Sequence, residues 1–238
     1  MHRFYLPSLE IKDKMLIISD KRIVHQTGKV LRMWKEDRFQ VFDDNGDEFV
    51  VEIESINKFR IIAEIVETVK SDTEPSVEVS LYQAVPKKPA LFELVVQKAT
   101  ELGVARIFPL ITERTEKRRI TKFERLFSIA MEATEQSGRT KIPVIQHPVT
   151  FEDVIGGLSN PYIGYEYEGK KYLLNYGDSL YKGNELQIII GPEGGLSQHE
   201  IDLAKEAKVK PFTLGPRILR TETAAISALS LVLLSKKV

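Results

Sequence analysis

Apolar and polar positions follow two different rhythms along this 238-residue chain. From Met15 to about Val69, short runs of β-formers alternate with polar turns: MLIIS, FQVFDD, EFVVEIESI and FRIIAEIVETV. Asp44-Asn45-Gly46-Asp47 separates the second run from the third, and Asn-Gly between two apolar runs is a strong hairpin signal. Arg22 to Met33 is the one stretch of this half with helical spacing. The pattern predicts a small β-barrel over residues 1–70. Lys70-Ser71-Asp72-Thr73-Glu74-Pro75 breaks both periodicities and is the candidate linker. Beyond it, VEVSLYQAV (77–85) reads as a strand. Leu91, Leu94, Val95, Ala99 and Leu102 then fall at helical spacing, with Gly103 as a stop. Val104 to Leu110 is strand-like again, and Lys122 to Gln136 repeats the helical pattern. Strand alternating with helix predicts an open parallel α/β sheet over residues 75–238.

The candidate chemistry lies late in that second half. Gln187 to Ile190 is a short apolar run, as expected of a buried parallel strand. It leads into Gly191-Pro192-Glu193-Gly194-Gly195 and then Leu196-Ser197-Gln198-His199-Glu200-Ile201. Ser197 with Glu200 is a capping box, and Leu196 with Ile201 a hydrophobic staple, so the glycine-rich loop joins a strand exit to a helix start. Ligands bind at such exits in open α/β sheets. The loop lacks the P-loop lysine and the dinucleotide glycine spacing. A second strand exit follows some 20 residues on: Phe212-Thr213-Leu214, then Gly215-Pro216-Arg217-Ile218-Leu219-Arg220-Thr221-Glu222-Thr223. Two arginines, a carboxylate and two threonines within seven residues exceed what capping the following apolar helix, from Ala224, requires.

Composition narrows the function classes. Lys plus Arg and Asp plus Glu both number 34, so no global field advertises a polyanionic partner, and nucleic-acid binding must come from a local patch. The chain has no cysteine, which excludes disulfides, thiolate metal sites and Cys nucleophiles. His2, His25, His147 and His199 have no metal-ligand spacing, and no metal is expected. The N-terminal MHRFYLPSLEIKDKM carries charges throughout and is unlike a signal peptide. The longest apolar stretch, Ala224 to Leu234, is too short for a membrane span, which takes roughly 20 residues. A cytoplasmic location is expected. From Glu113 to Arg125, six basic residues (Arg114, Lys117, Arg118, Arg119, Lys122, Arg125) stand against three acidic ones.

These segments resemble the RsmE family, the methyltransferases that act on uridine N3 of small-subunit (16S) ribosomal RNA, within the SPOUT superfamily. The resemblance rests on IIIGPEGGLSQHEI from Ile188, LGPRILRTETA from Leu214, and EATEQSGR (Glu132 to Arg139) followed by Pro143. KATELGV (Lys98 to Val104), VLRM (Val30 to Met33) and Arg3 support it. It spans nearly the whole chain. It implies a PUA-like β-barrel for RNA (1–70), and a SPOUT-type knotted parallel-sheet domain (75–238) that holds S-adenosylmethionine and works as a homodimer. The sequence departs from the family pattern in the barrel, where His25 and Gln26 fill two places of which one usually holds histidine, and Glu36 replaces a common glycine.

The resemblance implies a donor cradle from Ile190, Gly191, Glu193, Gly194, Gly195, Leu214, Gly215, Ile218, Leu219 and Thr223. Arg220 is the expected catalytic residue, its guanidinium stabilising the uracil anion formed as N3 loses its proton. Glu222 would accept a proton or hold Arg220, with the holding role favoured. Glu193 would orient the loop or face the donor's amine. Arg3, Lys29, Arg32, Arg118, Arg119, Lys122 and Arg139 are expected at the RNA. A neutral chain also points to RNA pre-shaped in an assembled small subunit rather than to naked RNA. The rival readings are a SPOUT methyltransferase of another nucleoside or ribose 2′-oxygen, and an RNA-binding assembly protein without catalysis.

Overall fold

The computed structural model describes residues 1–43, 45–165 and 171–234. The backbone forms two compact units: Met1–Glu74 with Thr134–Ile142, and Pro75–Ala133 with Pro143–Val238.

The first unit is built on β1 (Arg3–Tyr5), β2 (Ile11–Lys12), β3 (Met15–Ile18), α1 (Lys21–His25), a π-helical turn (Gln26–Val30), β4 (Arg38–Phe42), β5 (Glu48–Ile56) and β6 (Ile61–Val69). The strands run in the order β1-β4-β5-β6-β3-β2. The β1–β4 pairing is parallel and the rest are antiparallel. Alternation decides the faces: Leu16 and Ile18, Phe39 and Val41, Val51 and Ile53, and Ile61 and Ala63 meet Phe4, Ile23 and Val24 in one core. Each large side chain buried there contributes about 1.5–3 kcal/mol over exposure. The hairpin expected between β4 and β5 is present, with Gly46 at φ 83°, although Asp44 of its turn lies outside the described residues. The helix expected over Arg22 to Met33 is shorter. Asp20 caps α1 by accepting from Ile23 N (3.0 Å), and the chain widens into the π-helical turn at Gln26. Thr27, Gly28 and Val30 are poor helix formers, and Arg32 leaves the helical region altogether (φ 55°).

The second unit contains β7 (Glu78–Ala84), α2 (Pro89–Leu102), β8 (Arg106–Ile111), most of α3 (Phe123–Ser137), β9 (Val144–Ile145), β10 (Val149–Thr150) and α4 (Phe151–Ile155). It continues through β11 (Pro161–Gly164), a 3-10 segment (Leu173–Tyr181), β12 (Glu185–Ile190), α5 (Gln198–Glu206), β13 (Lys210–Phe212) and α6 (Thr221–Leu234). The sheet order is β10-β8-β7-β12-β11-β13, with β9 beside β8, and every pairing is parallel. All strand C-termini therefore emerge on one edge. Leu186 to Ile190 are buried, as a strand covered on both faces requires. Gly103 ends α2 in the left-handed conformation (φ 106°). Helix α6 starts three residues earlier than its apolar run, because Thr221, Glu222 and Thr223 supply the first turn. Ala225, Ala228, Leu229 and Val232 of that helix are buried. No helix among the described residues is long and apolar enough to cross a membrane.

Candidate functional site

Three neighbouring strand exits open onto one cavity of about 290 Å³. Gly164 and Tyr165 stand at the end of β11, Ile190 to Glu193, Gly195 and Leu196 at the end of β12, and Phe212 to Leu214 with Arg217 to Thr221 between β13 and the start of α6. The cavity is near the lower end of the roughly 300–1,000 Å³ usual for small-molecule sites.

The β12 exit is glycine-rich for steric reasons. A Cβ on Gly191 would come within 3.3 Å of Leu196 Cγ. Gly195 sits at φ 69°, which a side chain disfavours, and its N–H donates to Pro192 O (2.9 Å) to close the turn. Helix α5 then begins with the expected capping box: Ser197 Oγ accepts from Glu200 N (3.1 Å), and Glu200 Oε2 accepts from Ser197 N (2.8 Å). The other Glu200 oxygen accepts from Glu113 N (2.9 Å), fastening the cap to the end of β8. Leu196 and Ile201, the expected staple, share one core cluster.

Side chains from elsewhere hold the loop. Arg114 Nη1 donates to Gly194 O (2.8 Å), and Glu193 Oε1 accepts from Lys87 N (3.0 Å). Lys87 in turn pairs with Glu116, whose hydrogen bond and charge raise its ammonium above the ordinary value. Glu193 thus ties the loop to the Lys87 backbone while also lining the cavity.

Beneath the cavity, Thr221 Oγ1 donates to Gly191 O (2.7 Å) and accepts from Gln83 Nε2 (2.8 Å), which also donates to Ala84 O (2.9 Å). Both Thr221 and Gln83 are buried. One hydroxyl thus ties the first turn of α6 to the β12 exit, and a β7 amide ties both to the sheet. Thr221 is one of the two threonines of the dense segment after Gly215, whereas no local signal marks Gln83, which lies 138 positions from it. Thr221→Val is expected to lower stability by about 1–3 kcal/mol, because Gly191 O and Gln83 lose their partner in a dry setting. Thr221→Ser should keep most of it. Urea unfolding of the two variants measures the difference.

Of the residues expected around a donor, Ile190, Gly191, Glu193, Gly195, Leu214, Ile218 and Leu219 line the cavity, while Gly194, Gly215 and Thr223 do not. Arg217 and Arg220 line it too, are exposed, and take part in no ion pair among the described residues. The pairing of Arg220 with Glu222 is therefore absent. Glu222 is buried outside the cavity lining, and its Oε2 has no hydrogen-bond partner. Helical geometry separates them: Arg220 precedes the first turn of α6, and Glu222 is inside it.

The basic residues divide sharply. Lys29, Arg32, Arg118, Arg119 and Lys122 are exposed. Arg3 is not available to a polyanion: its side chain is 9% exposed, pairs with Glu48 (2.7 Å) and donates to Arg139 O (3.1 Å) within the first unit. Arg139 is likewise buried, 4% exposed, with Nη2 on Glu74 Oε2 (2.7 Å). Glu74, in the expected linker, also accepts from Thr140 N (3.0 Å) and Lys141 N (3.1 Å). Both guanidiniums have their charge met locally, as an interior position requires. Of the four histidines only His199 joins a group of metal-ligand type among the described residues: it, Glu113 and Glu152, all exposed, bring ligand-type atoms within 4.8 Å of one another.

Residues 73–233 match a family model described as an RNA methyltransferase domain, and residues 28–66 one described as an RNA methyltransferase PUA domain. Ribosomal RNA small subunit methyltransferase E of Rickettsia conorii is 32% identical, over 97% of this chain and 94% of its own. The protein of that name from Aquifex aeolicus is also 32% identical, over 98% and 99%. The structure of the Neisseria gonorrhoeae ribosomal RNA small subunit methyltransferase E bound to S-adenosyl methionine superposes with a TM-score of 0.87. It is 29% identical and covers 98% of this chain and 96% of that one. A Legionella pneumophila protein solved with the bound cofactor SAM gives the same TM-score at 33% identity, over 98% and 97%.

Proposed function

Because this chain belongs to the ribosomal RNA small subunit methyltransferase E family, we propose that it methylates N3 of a uridine in 16S ribosomal RNA, using S-adenosylmethionine. Its fold is that of the SPOUT class, a parallel-sheet α/β domain with a PUA-like β-rich unit. The observation that carries the proposal is the convergence of the GPEGG and LGPRILRTET loops on one cavity, joined by the Thr221–Gly191 hydrogen bond.

The residues present fit that donor. Ile190, Leu214, Ile218 and Leu219 offer apolar walls for adenine, and the side-chain-free Gly191 and Gly195 let the backbone approach polar groups closely. When bound, S-adenosylmethionine supplies a methyl group already activated by its sulfonium. The chain must place uracil N3 in line and favour loss of its proton, and orientation of this kind is worth up to roughly 7–11 kcal/mol. Arg220, at the cavity and paired with no carboxylate among the described residues, is placed to donate to the carbonyl oxygens beside N3 and stabilise the imide anion. Glu222, buried off the cavity, does not hold Arg220.

Both units contribute to RNA binding, and the α/β unit carries transfer. Lys29, Arg32, Arg118, Arg119 and Lys122 contact phosphates, which position RNA without reading its sequence. N3 is hidden in a paired helix, so the target uridine is unpaired or flipped. The enzyme is a cytoplasmic homodimer acting on assembled small subunits.

The experiment is transfer of labelled methyl to small subunits lacking the modification, with mass spectrometry of the nucleosides. N3-methyluridine at one site is expected. Label in another nucleoside would overturn the substrate and keep the enzyme class, and failure to bind the donor would overturn the class.

A further inference from the structure

We propose that the exposed rings of Trp34 and Phe59 form a stacking platform for unpaired bases of the RNA substrate, flanked by Lys29, Arg32, Lys35, Lys58 and Arg60. The proposal rests on the assignment of the chain as an RNA-modifying enzyme and names a surface of the first unit that would engage the RNA.

Burial first draws attention to these rings. Among the described large hydrophobic residues of the first unit, leaving aside Met1, three are more than 60% exposed: Val30 (61%), Trp34 (70%) and Phe59 (70%). All three fall on two segments that flank the same end of β5. A Cβ on Gly28 would lie 3.3 Å from Ile56 Cδ1, Glu36 N donates to Ile53 O (2.8 Å), and Ile53 N donates to Asp37 O (2.9 Å). Residues 57–60 continue directly from β5 as a tight turn, in which Asn57 Oδ1 accepts from Phe59 N (2.8 Å) and Arg60 N (3.1 Å).

The supports are rigid. Leu31 and Met33 pack against the barrel core, so the backbone that carries Trp34 is anchored from within. Asp37 accepts from Trp34 N (2.7 Å), and Arg32 and Glu36 hold left-handed φ values of 55° and 74°. Strained non-glycine backbone of this kind persists where the surroundings over-determine it, and clusters at binding sites.

Charge selects the occupant. The five basic side chains are exposed and make no ion pair among the described residues, while Glu36 and Asp37 are the acidic residues of residues 28–37 and 57–60. The Lys58 ammonium lies 4.9 Å from the Phe59 ring centroid. Uncompensated cations around open aromatic faces suit a phosphate chain whose bases are free to stack. A duplex would use the cations and leave the rings idle, and an apolar protein surface would leave the cations unmet.

Trp34 is the sole tryptophan of the chain, so intrinsic emission of the full-length protein reports this surface. Titration with a single-stranded RNA dodecamer is expected to quench it saturably, and the same strand in a duplex to do so far less. In methyl transfer to small subunits, Trp34→Ala should raise the KM for RNA about tenfold and Trp34→Ala/Phe59→Ala about a hundredfold. The kcat and donor binding should stay unchanged, and Trp34→Phe should recover most of the loss. Unaltered KM in the double variant, with the wild type active, would overturn the platform and leave the proposed function standing. Equal quenching by duplex would reduce the surface to charge alone and overturn stacking. A concentration-dependent blue shift without RNA would mark self-association instead. Quenching by single strands and the KM effects on an RNA other than the small subunit would keep the platform and overturn the proposed substrate.

Discussion

Arg220→Ala is expected to lower kcat for methyl transfer by about two to three orders of magnitude while leaving the dissociation constant for S-adenosylmethionine within a few-fold. The reason is geometric and electrostatic. Arg220 lines the cavity, is exposed, and is not neutralised by Glu222, so its full charge and donors are available to a developing anion. An exposed arginine with no partner contributes little to folding, and the variant should unfold at the wild-type urea concentration. Arg220→Lys should restore little activity, because an ammonium keeps the charge and loses the planar pair of donors. Single-turnover transfer and calorimetric donor binding, measured on the same samples, separate the two effects. An equal loss of donor affinity would move Arg220 into the donor site and remove its catalytic assignment.

Glu74→Ala should be the most destabilising single change considered, at about 3–5 kcal/mol. It removes the carboxylate 2.7 Å from the Arg139 guanidinium, which is only 4% exposed, and it frees the Thr140 and Lys141 amides. Glu74 itself is 22% exposed, so water entering the gap places the loss toward the lower figure. Removing both charges together, as Glu74→Leu/Arg139→Met, should recover a large part, since an apolar pair often replaces a buried ion pair without penalty. Urea unfolding followed by far-ultraviolet circular dichroism measures the loss. The outcome also decides between two roles for Arg139. A phosphate contact predicts a raised KM for RNA with unchanged stability; a buried ion pair predicts the reverse order of effects.

The pattern of burial is written locally, and so most of the elements are legible in the chain. Strand β5 has the limits that its run predicted, α2 ends at Gly103, and Ser197 with Glu200 caps α5. The two loops that meet at the cavity were also legible, because glycines, charges and strand exits are features of short segments. The barrel helix was overestimated, since spacing alone does not register a π-helical turn or the left-handed Arg32. Strand β1 was missed because a three-residue run has no periodicity, and its pairing with β4 is long-range.

What the tertiary structure decided is which partner each polar group found. The family resemblance puts Arg3 and Arg139 at the RNA, and folding brings Glu48 and Glu74 to them across 45 and 65 positions. The return of Thr134–Ile142 to the first unit, and the Gln83–Thr221–Gly191 chain under the cavity, have the same origin. Apolar burial is non-directional and leaves a periodic trace in the sequence. A hydrogen bond or ion pair depends on two groups reaching a few ångströms of each other, and distant residues do so through the fold alone.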